Sequence, residues 1–180
     1  MTDTPLTYQQ QNIDEKFMAL AIELAKKAEK HDEIPVGALV VANDEIIGEG
    51  FNQSIMLNDP SAHAEMIAIR QAGKNIENYR LLDCTLYVTL EPCPMCAGLL
   101  VHSRVKRIVY GALDLKTGSA GSVFNITHSD KLNHQIPVTS GILANECSTL
   151  LSAFFKRRRQ EKKALKQSLK LDKHKEDESL

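Results

Sequence analysis

The chain of 180 residues reads as an α/β protein, a three-layer α/β/α sandwich around a mixed, about five-stranded sheet. Three observations lead there. A helical apolar stripe opens the chain, two β-rich segments separated by a polar turn follow it, and the remainder alternates helix-forming with strand-forming segments. The opening hairpin is antiparallel by construction, whereas strand–helix–strand crossovers are parallel, so the sheet must be mixed.

The elements follow in order. Phe17, Leu20, Ala21, Leu24, Ala25 and Ala28 recur at three- and four-residue intervals and predict an amphipathic helix over residues 14–30. Residues 35–42 and 46–51 predict two strands joined through Asn43, Asp44 and Glu45. Asp59-Pro60-Ser61 predicts a helix start, with Asp59 or Ser61 as cap, His63 and Glu65 in the first turn, and an end near Gln71, just before Gly73. Residues 84–90 form a strand that Glu91-Pro92-Cys93-Pro94 breaks, opening a helix to about His102. Residues 106–110 give a further strand, and Pro137-Val138 a short extended piece. Residues 117–122 are glycine-rich but match neither phosphate-binding fingerprint, so they read as an ordinary surface loop. Cys147, Leu150, Leu151, Phe154 and Phe155 place one apolar face on a final helix, which thins beyond Lys156 to Leu165 and Leu169. The expected division is a flexible extension over residues 1–13, one domain over 14–160, and a charged tail over 161–180, partly helical or disordered.

Composition narrows the function classes. At 43% hydrophobic and 25% charged, the chain has the balance of a globular domain rather than of a disordered one. The first seventeen residues lack the apolar core of a signal peptide, and no apolar run approaches the roughly 20 residues of a membrane span. A cytoplasmic protein with no membrane association is expected. Cys93 and Cys96 form a spaced pair, whereas Cys84 and Cys147 read as small buried hydrophobes. The net charge of −1 conceals an asymmetry: residues 1–155 carry 12 basic against 18 acidic side chains, and residues 156–180 carry 10 against 5.

The chemistry concentrates in His63-Ala64-Glu65 and Pro92-Cys93-Pro94-Met95-Cys96. One imidazole and two thiolates are the three protein ligands of a hydrolytic zinc site, which leaves a fourth position for water. Glu65, two residues from His63, supplies the base beside that water. A redox reading of Cys93 and Cys96 leaves His63 and Glu65 without a role, and a structural zinc needs a fourth protein ligand. Zinc hydrolysis uses all four residues.

Both clusters match the H-x-E…P-C-x-x-C pattern of zinc-dependent nucleobase deaminases. Ile34-Pro-Val-Gly-Ala38, Gly48-Glu-Gly-Phe-Asn52, Asn78-Tyr-Arg-Leu-Leu82 and Gly111-Ala-Leu-Asp-Leu-Lys-Thr-Gly118 extend the likeness. Over residues 14–162 the chain resembles the bacterial tRNA-specific adenosine deaminases, of the cytidine deaminase-like superfamily. That resemblance implies one zinc ion per subunit, a homodimer, and conversion of adenosine to inosine at the wobble position of a tRNA anticodon stem-loop. By position, His63, Cys93 and Cys96 would bind zinc, Glu65 would carry protons, Asn52 would hydrogen-bond the purine and Asp114 would contact the RNA. Deaminases of free guanine or cytosine share the metal motif and are the main alternative. A non-catalytic zinc-stabilised RNA-binding module is a third reading, against which Glu65 argues. Phe154 and Phe155 stand before Lys156-Arg-Arg-Arg159, where stacking and phosphate attraction would both suit RNA. Each phenylalanine alone reads better as core, while the density of charge makes RNA the better reading for the arginines.

Overall fold

The computed structural model describes residues 7–177, with side chains through residue 169. Helix α1 (Tyr8–Lys30) is followed by β1 (Gly37–Ala42), β2 (Glu45–Phe51), the single-turn α2 (Ser54–Leu57) and α3 (Ala64–Asn75). Then come β3 (Thr85–Leu90), α4 (Pro94–His102), β4 (Arg107–Ala112), β5 (Val138–Ser140) and α5 (Ala144–Asp177). The five strands lie in the order β2-β1-β3-β4-β5. β1 runs antiparallel to β2 and β3, while β3, β4 and β5 are mutually parallel. The expected mixed sandwich is the one observed.

Strand alternation assigns the layers. Gly37 on β1 backs onto Ala21 and Ala25 of α1, and Tyr87, on the same face, meets Phe17 with ring centroids 5.2 Å apart. Gly48 and Gly50 of β2 present the other face, where a Cβ would collide with the α3 backbone at Ala68 and Ala64 respectively. Ala64, Ala68 and Ala72 form a small-residue stripe along α3, and the two glycines let that helix settle directly onto the strand. Gly111 of β4 backs onto Cys147, which puts α5 in the α1 layer, and α4 packs beside α3. Cys84 and Cys147 are buried, as expected of small hydrophobes.

The hairpin closes through Asn43 and Asp44, both left-handed at φ 50° and 62°. That pair of conformations suits a two-residue hairpin turn, and Asn and Asp tolerate it better than most residues. β2 is an edge strand, yet α3 covers part of that edge: the Gln71 side chain accepts from the Glu49 amide at 2.8 Å, and Asn75 donates to the Ile47 carbonyl at 2.9 Å.

Both terminal helices are longer than their apolar stripes. α1 starts at Tyr8, where the Thr7 hydroxyl accepts from the Gln10 amide at 3.2 Å, so much of the expected flexible extension is helical. Residues 1–6 of that extension lie outside the described residues. The first turns project beyond the sheet and bury little, which is why no periodicity announces them. α5 continues to Asp177, so the tail expected to be partly helical or disordered is helical through that residue. Lys, Gln, Glu, Leu and Ala dominate that stretch, and intrinsic helix propensity sustains it without a core-facing stripe.

Candidate active site

The site forms where β3 ends and two helices begin. Cys93 is the N-cap of α4 and Cys96 lies in its first turn, with Pro94 at the position where a missing N–H costs nothing. His63 is the N-cap of α3 rather than a residue of its first turn. The helix start expected at Asp59–Ser61 is displaced for a physical reason. Asp59 accepts from both the amide and the hydroxyl of Ser61 in a local turn, and the α3 cap is instead supplied by Asn52, whose Oδ1 accepts from the Ala64 amide at 2.9 Å. The His63 side chain is thereby free to face the sulfurs. α3 also runs to Asn75, with Gly73 inside the helix.

His63 Nδ1 lies 3.7 Å from the Cys93 sulfur and 3.6 Å from the Cys96 sulfur. All three donor atoms fall within 4.8 Å of one another. Tetrahedral zinc, with bonds of about 2.3 Å to sulfur and 2.0 Å to nitrogen, sets such N···S separations at roughly 3.5 Å. The donor set therefore fits that ion. Hydrogen bonds from the Cys96 thiol and from His63 bring the Cys93 thiol down to about 4, which favours its thiolate form. Cys96, donating to Cys93 and buried, is pushed upward. The helix N-termini favour the negative charge that the two sulfurs share.

Glu65 stands beside this trio, 4% exposed. Burial raises its carboxyl from 4.5 to about 6, against a smaller lowering by its own backbone amide and by His63. Asn52, His63, Glu65, Cys93 and Asp114 all line one cavity of about 530 Å³, a volume suited to a nucleoside rather than to a metal alone. With Asn52 Oδ1 committed to Ala64, the polar group it has left for a ligand is its amide NH₂. Asp114 is differently placed. Its carboxylate accepts from the amides of Lys116 and Thr117 and from the Thr117 hydroxyl, so it organises its own turn.

With this geometry in hand, comparison with known proteins is informative. The family model for the cytidine and deoxycytidylate deaminase zinc-binding region matches residues 11–112. A tRNA-specific adenosine deaminase of Haemophilus influenzae is 60% identical over 158 residues, covering 87% of this chain and 91% of that protein. The chain belongs to the tRNA-specific adenosine deaminase family. A second tRNA-specific adenosine deaminase, from Bacillus subtilis, is 48% identical over 156 residues, covering 87% of this chain and 97% of its relative. Among solved structures, one from a study of A-to-I editing by tRNA:A34 deaminases at the wobble position of transfer RNA superposes with a TM-score of 0.73. It is 38% identical and covers 76% of this chain and 99% of that one. As in its family, the chain carries a zinc-binding deaminase domain, and His63, Cys93 and Cys96 are the one group of metal-competent donors found among the described residues.

Sequence reasoning missed much of the cavity wall. Residues 113–117, Leu151 and Phe155 line it, and of the glycine-rich segment 117–122 only Thr117 reaches the cavity. The basic run after Phe155 also divides. Arg157 pairs with Asp32 and Glu161, each at 2.9 Å, and lies 5.3 Å from the Phe154 ring centroid, while Arg158 pairs with Glu161 at 3.1 Å. Among the described residues no ion pair engages Arg159, Lys162, Lys163 or Lys166.

Proposed function

We propose that the chain hydrolyses the exocyclic amine of adenosine at the wobble position of tRNA anticodons, yielding inosine and ammonia. The observation that carries this reading is Glu65, a buried carboxylate sharing a nucleoside-sized cavity with three metal-competent donors. In this reading His63 Nδ1 and the sulfurs of Cys93 and Cys96 hold one zinc ion. Zinc in such a site supplies the Lewis acidity that makes water nucleophilic near neutral pH. Glu65 would take one proton from the attacking water and pass it to a purine ring nitrogen, then take the second, from the added hydroxyl, and pass it to the amine that leaves as ammonia. The Asn52 amide, fixed through Ala64, offers a donor to a purine acceptor. For Asp114 we propose a role through the turn it organises, which fixes the wall that meets the RNA. The 60% identity to a tRNA-specific enzyme supports adenosine in tRNA over a free base.

Incubating zinc-loaded protein with a tRNA bearing wobble adenosine, and then analysing nucleosides by mass spectrometry, tests the reading. Inosine is expected. Ammonia release from free guanine or cytosine with no inosine in tRNA would favour the alternative.

Partner and location follow from the same reading. The α3–α4 face carries a groove of about 750 Å³ beside Ile69, Tyr79 and Leu99, with Leu82 and Met95 exposed elsewhere on the surface. A second copy of the chain suits that groove, and sedimentation should return a homodimer. No helix among the described residues is long and apolar enough to cross a membrane, and a tRNA substrate fits residence in the cytoplasm.

Two predictions arise here. Replacing Arg159, Lys162, Lys163 and Lys166 together by Gln should weaken tRNA binding and flatten its salt dependence. Each lost phosphate contact should lower the slope of log K against log salt by about 0.7–0.9. An unchanged slope would remove α5 from the RNA footprint. The second concerns pH. A protonated Glu65 cannot accept a proton, so turnover should fall as pH drops through the folded value. Burial sets that value at about 6, and a divalent cation nearby lowers it. The acidic limb of the kcat profile should therefore lie at or below about pH 6, and a limb near pH 8 would contradict the assignment.

A further inference from the structure

Glu91 ends β3's extension two residues before Cys93, and at 2% exposure it is among the most buried charged side chains of the protein. Its carboxylate is the hub of the long loop between β4 and β5. Oε1 accepts from the amides of Ala120 and Ser122 at 3.0 Å each, while Oε2 accepts from the Asp114 amide at 3.1 Å and from the Ser122 hydroxyl. The loop wraps so closely that a Cβ on Gly118 would run into the carboxylate. A buried carboxylate is costly unless donors surround it, and here one loop supplies all of them. That loop contributes residues 113–117 to the wall of the cavity holding Glu65.

We propose that Glu91 is a positioning residue for the deamination. It fixes the loop wall against which the target nucleotide seats, and acts on substrate binding rather than on proton transfer. A connection of this length without secondary structure needs such an anchor to present a defined surface. Glu91 itself borders that cavity, and its four hydrogen bonds into the loop commit its carboxylate to the wall. This inference rests on the reading of the site as a tRNA adenosine deaminase.

Glu91→Gln keeps the side-chain shape but offers one acceptor oxygen, and turns an NH₂ toward groups that themselves donate. Zinc content, amide hydrogen exchange at Ala120 and Ser122, and kcat and KM for a wobble-adenosine stem-loop should be measured together on the zinc-loaded protein. We expect stoichiometric zinc, lost exchange protection at both amides, KM raised about tenfold and kcat changed less than about threefold. Ser122→Ala, which removes only the hydroxyl contact, should shift KM in the same direction by less. Lost protection with an unchanged KM would overturn the proposal, as would a fall in kcat alone. Should Glu91→Gln fail to fold or to hold zinc, Ser122→Ala decides, and an unchanged KM there overturns it. If the unaltered protein forms inosine but neither variant shifts KM, only the role of Glu91 fails. If it forms none, the functional reading fails first.

Discussion

Glu65→Ala should retain stoichiometric zinc and lose deamination by about 10²–10⁴-fold or more, the usual contribution of a positioned general acid–base. Zinc survives because Glu65 is not among the three clustered donor residues. Stability should survive as well. Burial lifts the Glu65 carboxyl from 4.5 to about 6, so its proton is held more tightly in the folded chain. That contribution is fully present below about 4.5 and is lost as pH rises through about 6, leaving a buried ionised group as a cost at neutral pH. Removing the carboxyl relieves that cost, which is largest in the metal-free chain because a bound cation lowers the Glu65 value. A variant that melts no lower than the parent at pH 7.5, binds zinc and makes no inosine would separate chemistry from folding. Turnover at the parental rate would end the assignment of Glu65 as proton carrier.

Arg107→Ala should be strongly destabilising. Asp14 is fully buried beneath the sheet, and its carboxylate is held by a bidentate pair with Arg107, at 2.6 and 2.9 Å, and by the Tyr87 hydroxyl at 2.9 Å. Arg107 in turn donates to Thr139 of β5 at 2.7 Å, so one guanidinium ties α1, β4 and the edge strand together. Truncating Arg107 removes the charge that balances the buried Asp14 carboxylate and leaves it the Tyr87 hydroxyl and the Gln10 side-chain amide as donors, at a cost of about 3–5 kcal/mol. For a chain of this size that corresponds to a fall in melting temperature of roughly 6–20 °C. The cost comes from the unpaired Asp14, so replacing both partners by apolar residues of similar volume, Asp14→Leu with Arg107→Met, should recover much of it. Calorimetry of the single and double variants decides. A single variant that melts with the parent would show that the pair is not the tie it resembles.

The metal centre was legible in the sequence because its requirements are local. Two cysteines three residues apart at a helix start, with a histidine and glutamate on a second helix start, leave few other uses for those side chains. The sheet was legible for a similar reason, since its strands carry β-formers bounded by turn residues. What escaped depends on contacts between distant segments. The start of α3 is set by Asn52, the residue just past the end of β2, so local cap chemistry at Asp59 misplaced it. Gly48 and Gly50 facing Ala64, Ala68 and Ala72 were visible as spacings, but a close strand–helix approach becomes evident only when both are paired in space. The wall role of residues 113–117 depends on Glu91, whose partners lie 23 to 31 residues downstream and follow no period. Within the basic terminus, composition could not separate Arg157, spent on Asp32 from the loop after α1, from Arg159, which engages no described acid.

The central claim is that one zinc ion, held by His63, Cys93 and Cys96, converts wobble adenosine to inosine with Glu65 moving the proton. The most direct measurement is inosine formed in tRNA as a function of zinc bound per chain, with the metal stripped by chelator and then returned. Activity should rise in proportion to zinc and saturate at one ion per chain. Undiminished inosine from metal-free protein, or none from fully zinc-loaded protein with a wobble-adenosine tRNA, would contradict it.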